Sequence, residues 1–281
     1  MNNFDPRFWI WGYVLDTVPG EAFFVDGTTR SSLETVADYL KCDNAYWMNS
    51  LHTLDSINPR QCERMQNVKN VFCGLTHIEA NGPGKGGWQI KYVESAEKIA
   101  RLSLQYPNIK GAIIDDFRSP TGPSKNMTDE ELHQVYCTLK NINPELKLYL
   151  VHYHITQNPA MLESCRNDFD GLSIWSWHSN DYFWQVLYDD EIRHIREQFP
   201  DKDLNQGMFI HAYGDGGIPQ PMDQLKLQCR KFADKLDSNA IDSWCLIQSG
   251  FFCREDHREQ VEFIKNYWDY YRGTRTILPT E

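Results

Sequence analysis

Two adjacent aspartates end an apolar segment of the chain: residues 111–117 read GAIIDDF, which places Asp115 and Asp116 directly after the apolar run. Ionised groups at the end of a buried segment are costly unless they are solvated, paired or metal-bound. Two neighbouring like charges raise the pKa of one group, and a carboxyl group that keeps its proton can act as a general acid. A pair that only caps a helix or fixes a loop would have the same sequence. We expect Asp116 to be the principal acid or nucleophile, with Asp115 tuning its pKa or holding a substrate.

A second carboxylate is needed if this pair cleaves bonds between sugars. One group protonates the leaving oxygen, and the other acts as nucleophile or activates water. Glu79 and Asp215 are the candidates, and the sequence does not choose between them. Asp215 lies in an Asp-Gly dipeptide that could be a plain turn, and Glu79 could be a solvated loop residue.

Aromatic, imidazole and amide side chains follow several other apolar segments. Flat rings at such positions could stack on the apolar faces of sugars, although aromatic residues are also common strand formers and core fillers. The set as a whole therefore indicates a binding platform more strongly than any one member. The predicted substrate-binding residues are Trp47, Asn49, His152, His154, Trp175, Trp177, His211, Tyr213 and Gln248.

The histidines also allow a different chemistry. His152 and His154 form an HxH pair that could bind zinc or another divalent ion together with His211 and Asp116. Neutral histidines equally bind hydroxyl-rich substrates, so we assign no metal and no other cofactor. A Schiff-base mechanism is disfavoured because no lysine ends an apolar segment; Lys110 and Lys147 stand at the opposite ends.

Short apolar runs alternate with longer amphipathic ones from end to end. Near-continuous apolar runs are typical of parallel strands covered on both faces. The predicted strands are 8–14, 44–49, 71–76, 110–116, 146–152, 170–176, 207–213 and 242–248, and the predicted helices are 31–41, 58–67, 91–106, a helix capped by Thr128, 160–166, 181–199, 221–237 and 255–272. Eight such units over residues 1–281 predict one (β/α)8 TIM barrel. In this fold the residues that follow the strands form the active site. A doubly wound open sheet is the alternative, but no glycine fingerprint follows the first strand.

The composition of the chain indicates which classes of partner it does not bind. The formal net charge is −11, and no basic stripe suited to nucleic acid occurs. No apolar run is long enough to span a membrane, and the start lacks the pattern of a secretory signal. The eight scattered cysteines are typical of free thiols in a reducing compartment. We expect a cytoplasmic protein, or an exported one whose signal peptide is absent from this sequence; the oligomeric state stays open.

The chain resembles the TIM-barrel glycoside hydrolases, in many of which a hydrophobic fourth strand ends in an acidic residue. Residues 111–117, 175–177 and 211–215 carry the resemblance. The sequence lacks the DxxDxDxE motif of chitinase-like barrels and the Asn-Glu pair of the largest hydrolase clan. The resemblance implies an O-glycosyl hydrolase that acts on an oligo- or polysaccharide with retention or inversion. A metal-dependent hydrolase and a non-catalytic carbohydrate-binding barrel are the alternatives.

Overall fold

The computed structural model describes residues 5–15, 31–48, 57–75, 78–79, 89–120, 122–154, 157–177, 181–212, 218–247, 249–277 and 279. The strands of the main sheet are β1 (Phe8–Gly12), β2 (Asn44–Trp47), β3 (Asn70–Gly74), β4 (Ile109–Ile114), β5 (Lys147–Tyr153), β6 (Gly171–Trp175), β7 (Asp203–Phe209) and β8 (Ser243–Ile247). The α-helices are α1 (Leu33–Leu40), α2 (Pro59–Arg64), α3 (Tyr92–Ser103), α4 (Asp129–Ile142), α5 (Tyr188–Gln198), α6 (Met222–Asp237) and α7 (Arg258–Tyr271). A 3₁₀ helix, Pro159–Asp168, follows β5, and a π-helical turn, Phe183–Leu187, precedes α5.

The eight strands form a closed parallel barrel in sequential order. Each strand pairs with its neighbours in the chain, and β1 closes the barrel by pairing with both β2 and β8. In register, Phe8 lies opposite Trp244, and Ile10 lies opposite Ala45. A helix follows every strand, so the prediction of a (β/α)8 barrel is confirmed.

Alternate residues of each strand enter two separate cores. The outer core lies between strands and helices and contains, for example, Ile114 of β4 and Leu132 of α4. The inner core fills the barrel and is mostly aromatic: Trp9, Trp11, Tyr46, Met48, Phe72, Ile113, Tyr149, Val151, Tyr153, Trp175 and Cys245. Because strand side chains alternate, membership of a core tells which way each residue faces. Burial on both faces explains why most strand residues are apolar.

Glycines make room for the large rings inside the barrel. A Cβ atom at Gly207 would lie 2.1 Å from the indole of Trp175, and one at Gly171 would lie 2.6 Å from the ring of Tyr149. These two strand glycines let wide aromatic side chains pack directly against backbone of the next strand.

The seventh strand differs from its prediction. It begins at Asp203 and ends at Phe209, whereas the sequence indicated residues 207–213. The early part looks polar because it contains Asn205 and Gln206, yet both are buried and hydrogen-bonded: Asn205 donates to Ser243, and Gln206 donates to the carbonyl of Ile174. The N-cap of α4 is confirmed, since the Thr128 hydroxyl accepts the backbone N–H of Glu131 at 3.1 Å.

Two short antiparallel ribbons accompany the carboxyl ends of the barrel strands. One pairs Ile78–Glu79 with Gln89–Ile90, after β3, and the other pairs His211–Ala212 with Ile218–Pro219, after β7. None of the helices in the described ranges is both long enough and apolar enough to cross a bilayer.

Candidate active site

The two aspartates follow β4 in a tight turn. Asp116 has a φ angle of 49°, which is in the left-handed region. Aspartate adopts this conformation more readily than most residues, and nearby contacts hold it. Its carbonyl oxygen accepts hydrogen bonds from the Ser119 N–H at 2.9 Å and the Ser124 hydroxyl at 2.8 Å. Gly122 packs against the turn so closely that a Cβ there would lie 2.6 Å from the Cβ of Asp116.

The left-handed turn changes the direction of the Asp116 side chain. Simple alternation from Ile114, an outer-core residue, would place Asp116 on the outer face as well. Instead its Oδ1 accepts a hydrogen bond from the hydroxyl of Tyr153 at 2.6 Å, and Tyr153 belongs to the inner core. The Asp116 carboxylate therefore lies on the barrel side of the turn, at the carboxyl end of the strands.

A buried glutamine fixes the two segments that carry Asp116 and Tyr153. The side-chain amide of Gln157 donates to the carbonyl of Phe117 at 2.8 Å, and its oxygen accepts the N–H of Tyr153 at 2.9 Å. The same glutamine side chain therefore holds the segment after Asp116 and the backbone of Tyr153. The sequence analysis did not identify Gln157, because an isolated glutamine in a loop gives no pattern.

Both carboxyl groups hold protons more strongly than ordinary aspartates. Burial and the neighbouring charge of Asp116 raise the pKa of Asp115 well above its usual value, although the Asp116 N–H donates to Asp115 Oδ1 at 2.9 Å and opposes the shift. Burial raises the pKa of Asp116, against the lowering effect of the Tyr153 hydrogen bond. The pair therefore tends to keep a proton to higher pH, which is what a proton donor requires.

A row of stacked rings begins at the residue that binds Asp116. Tyr153 stacks on Trp177 with ring centroids 5.5 Å apart and an interplanar angle of 18°. Trp177 in turn stacks on Phe209 at 4.9 Å and 24°. Trp177 is 46% exposed, so this aromatic row presents a ring to solvent beside the acid pair. The role of Trp177 in substrate binding stays a prediction.

The other two predicted tryptophans are buried. Trp47 is fully buried in the outer core, between strands and helices. Trp175 lies in the inner core against Trp11, and its indole N–H donates to the Ser173 hydroxyl at 2.9 Å. Their substrate-binding roles stay predictions, and their burial favours a structural role.

His152 and His154 lie behind the barrel wall. Tyr153 between them faces inward, so alternation turns both histidines outward toward α5. Burial lowers the pKa of His152 to about 3. His154 lies 3.2 Å from the side-chain oxygen of Gln206 and 3.9 Å from Glu191. The roles of both histidines toward a substrate stay predictions. Tyr153, the residue between them, is the one that contacts Asp116, and the sequence analysis did not identify it.

His211 belongs to a chain of polar contacts beyond β7. Its Nδ1 lies 3.0 Å from Nε2 of His257, whose Nδ1 lies 2.7 Å from Asp256. Asp256 also accepts two hydrogen bonds from Arg254. The candidate metal ligands therefore have separate partners: His211 contacts His257, His154 contacts Gln206, and Asp116 contacts Tyr153. In the described part of the chain, no group of three His, Cys, Asp or Glu side chains is arranged to hold a metal. The sequence analysis missed Arg254, Asp256 and His257, although they stand close together just after β8.

Several predicted residues lie outside the described residues. These are Asn49, Tyr213, Asp215 and Gln248. Glu79 is placed only by its backbone, in the ribbon after β3. The choice of second carboxylate therefore stays a prediction.

Comparison with solved structures finds the same fold among glycosidases. A Bacteroides thetaiotaomicron protein assigned as an α-L-fucosidase matches with a TM-score of 0.57 at 11% identity, over 94% of this chain and 93% of that one. The catalytic domain of the major endoglucanase of Xanthomonas campestris matches with a TM-score of 0.52 at 9% identity, over 81% and 84%. Active domain 2 of a thermostable Pyrococcus furiosus chitinase, solved with chito-oligosaccharides, gives 0.51 at 12%, over 86% and 83%.

These likenesses establish the fold. The chain has the TIM-barrel architecture of these glycoside hydrolases, as the sequence resemblance implied, at identities too low to transfer a residue's role. No protein-family model matches the sequence, and no curated protein does so either. The site must therefore be argued from its own geometry.

Proposed function

We propose that this protein is a glycoside hydrolase that cleaves an oligo- or polysaccharide at the carboxyl end of the barrel, with Asp116 and Asp115 at the reaction centre. The carrying observation is the carboxyl pair with raised pKa values, joined through Tyr153 to an exposed stack of aromatic rings. The glycosidase structures that share the fold support this proposal at the level of architecture.

The proton chemistry follows from the environment of the pair. Asp115 is the group whose environment most strongly opposes ionisation, because burial and a neighbouring carboxylate act in the same direction. Because the two groups interact, they titrate as a pair that keeps a proton to higher pH than an isolated aspartate does. Asp116, which contacts Tyr153 on the barrel side, is our candidate for the group that meets the substrate. Asp115, whose pKa the charge of Asp116 raises, is its partner in the pair.

The aromatic row supplies the binding surface. A sugar ring has apolar C–H groups, and the part of the Trp177 indole that is exposed to solvent, outside its stacks on Tyr153 and Phe209, can contact them. Because Trp177 stacks on Tyr153, a sugar bound there lies next to Asp116. The active-site position beyond parallel barrel strands agrees with the general location of catalysis in this fold.

The stereochemical outcome depends on the second carboxylate, which we propose is Glu79 or Asp215. A separation of roughly 5–5.5 Å between the two working carboxyl groups implies retention, and roughly 6.5–9.5 Å implies inversion. Product anomers observed by NMR during hydrolysis decide between the two.

The experiment is a product assay on a panel of oligosaccharides that includes chito-, cello- and arabino-oligosaccharides and aryl fucosides. We expect the wild type to cleave at least one and Asp116→Asn to lose at least ~100-fold in kcat/KM, the lower end for a general acid–base group. The matched control is Asp201→Asn, since Asp201 pairs with Arg166 at the opposite end of the barrel. Full activity of Asp116→Asn contradicts the assignment.

A non-catalytic carbohydrate-binding barrel is the second candidate, because the exposed Trp177 platform serves binding without chemistry equally well. Saturable binding of a panel member with no product after prolonged incubation supports that alternative. Turnover that depends on Asp116 excludes it.

A further inference from the structure

Two residues of the turn after β4 adopt the left-handed conformation. Asp116 has a φ angle of 49°, and Arg118 has one of 51°. For residues other than glycine this conformation costs free energy, and it persists only where surrounding contacts hold it. Lys41 and Asn239, which share it, lie at the ends of α1 and α6, where it is common. The turn after β4 therefore needs contacts of its own.

One buried hydroxyl group binds the backbone of both residues. The Ser124 hydroxyl donates to the carbonyl oxygen of Asp116 at 2.8 Å, and its oxygen accepts the N–H of Arg118 at 3.0 Å. The Ser119 N–H also binds the Asp116 carbonyl, but Ser119 belongs to the turn itself. Ser124 is 1% exposed, so its hydrogen bonds are shielded from water. A single side chain thus ties the two left-handed residues together.

Ser124 is itself held beside the start of α4. Its carbonyl oxygen accepts the N–H of Met127 at 2.9 Å. Arg118 reaches the same segment, because its Nε donates to the Met127 carbonyl at 2.8 Å and its guanidinium pairs with Asp129 at 2.5 Å. Asp129 is the first residue of α4. The turn is therefore fixed to the helix that follows it, and Ser124 links the two.

The direction of the Asp116 side chain depends on this turn. An extended residue 116 would continue the alternation of β4 and, like Ile114, face the outer core. In the left-handed conformation its carboxylate instead contacts the hydroxyl of Tyr153, an inner-core residue, at 2.6 Å. A contact that holds the backbone of residue 116 therefore also decides which environment surrounds the acid.

We propose that Ser124 is a positioning residue, whose hydroxyl holds Asp116 and Arg118 in the left-handed conformation and thereby turns the Asp116 carboxylate toward Tyr153. Without this hydroxyl, residue 116 relaxes toward the extended conformation and the contact with Tyr153 is lost. Ser124 binds the backbone carbonyl of Asp116, so it acts through Asp116 rather than on a substrate. The value of this orientation for hydrolysis rests on the proposed function, whereas the orientation itself does not.

The coupling between Tyr153 and Asp116 reports the orientation. Removing the Tyr153 hydroxyl raises the pKa of Asp116 only where the two side chains touch. Carboxyl ¹³C NMR gives this pKa in the wild type, Tyr153→Phe, Ser124→Ala and the double variant. We expect Tyr153→Phe to raise the pKa of Asp116 in the wild-type background and to leave it unchanged in the Ser124→Ala background. An equal rise in both backgrounds, or no rise in either, overturns the proposal.

Three further variants separate positioning from general stability. Ser124→Thr keeps the hydroxyl and should keep the coupling. Ser124→Cys fills the same space with a weaker donor, and it provides the comparison if Ser124→Ala does not fold. The matched control is Ser103→Ala at the end of α3, because Ser103 is also buried, donates to the carbonyl of Ala100 at 2.7 Å and accepts from Asn143 at 2.8 Å. Loss of the coupling in Ser103→Ala as well would overturn a specific role for Ser124.

Kinetics test the value of the orientation for hydrolysis. On an oligosaccharide that the wild type cleaves, we expect Ser124→Ala to lose about 100-fold in kcat, as a small misplacement of a reacting group does, with a smaller change in KM. Ser124→Thr should retain most of the activity. A Ser124→Ala variant that loses the coupling and keeps full kcat overturns the role of this orientation in hydrolysis. If the wild type cleaves no oligosaccharide, the proposed function fails, and the coupling experiment still confirms or overturns the positioning of Asp116.

Discussion

The hydroxyl of Tyr153 lies 2.6 Å from Oδ1 of Asp116, and the same tyrosine ring stacks on Trp177. One side chain thus connects the acid pair to the exposed ring of the aromatic row. It also opposes the effect of burial on the pKa of Asp116, because burial raises that pKa and a hydrogen bond to a carboxylate favours the ionised form.

Tyr153→Phe should raise the pKa of Asp116. The variant keeps the ring and its stacking but removes the donor that favours the carboxylate, so burial then acts without opposition. If Asp116 works in its ionised form, the acidic limb of the kcat/KM profile moves to higher pH; if it works as the proton donor, the alkaline limb does so. A profile that coincides with that of the wild type would show that this hydrogen bond does not govern the working group.

Asp115→Asn should stabilise the protein at neutral pH. In the folded state the pKa of Asp115 is raised, so between about 3.9, the ordinary aspartate value, and the raised value the folded chain binds more protons than the unfolded chain. Stability therefore falls as pH rises through that window. The asparagine side chain carries no charge, so the loss of stability with rising pH disappears. Its Oδ1 can still accept the hydrogen bond from the Asp116 N–H. We expect a gain of about 0.5–2 kcal/mol at pH 8 with loss of activity.

Calorimetric melting at pH 4 and pH 8 checks this sign. The gain should be larger at pH 8. Asp129→Asn provides a control of opposite sign, because the hydrogen bond from Arg118 lowers the pKa of Asp129, and its stabilising effect is lost as pH falls. An Asp115→Asn variant that is less stable than the wild type at pH 8 would mean that the buried carboxylate is well solvated or paired.

Trp177→Ala should weaken oligosaccharide binding with little effect on folding. The indole is 46% exposed, so its removal leaves no closed cavity, while the loss of its aromatic contact with the sugar costs about 0.5–1.5 kcal/mol, or roughly 2- to 12-fold in Kd. Isothermal titration calorimetry in an Asp116→Asn background, with an intact oligosaccharide that the wild type cleaves, measures this change in affinity.

The control for the platform is Tyr39→Ala. Tyr39 is a ring of similar exposure, 44%, on α1, away from the aromatic row. Equal affinities for Trp177→Ala and its parent would exclude the row as the binding surface, whatever the effect of Tyr39→Ala.

The periodic parts of the fold were predictable from sequence, and the side-chain networks were not. Apolar runs and the Thr128 cap are local signals, so the barrel and the acid pair after β4 could be predicted before any coordinates were known. The start of β7 was missed because Asn205 and Gln206 are polar residue types, although both are buried and hydrogen-bonded to neighbouring strands.

Alternation within a strand limited the site prediction more strongly. His152 and His154 flank the residue that faces the barrel, and the sequence alone does not say which face of β5 is the inner one. Alternation from β4 would place the Asp116 side chain on the outer face of the barrel. The left-handed φ of Asp116 instead turns its carboxylate to the barrel side, where it contacts Tyr153. Contacts between distant segments, such as His211 with His257, depend on closure of the barrel and leave no local pattern.

The most direct test of the central claim is a titration of the two carboxyl groups by ¹³C NMR, with Asp116→Asn and Asp115→Asn to assign the signals. The account predicts that at least one carboxyl group of the pair keeps its proton well above the ordinary aspartate pKa of about 3.9, and that Asp116→Asn lowers the pKa of Asp115. If both groups ionise at or below that ordinary value, with no effect of one on the other, the pair does not hold a proton for catalysis and the account is contradicted.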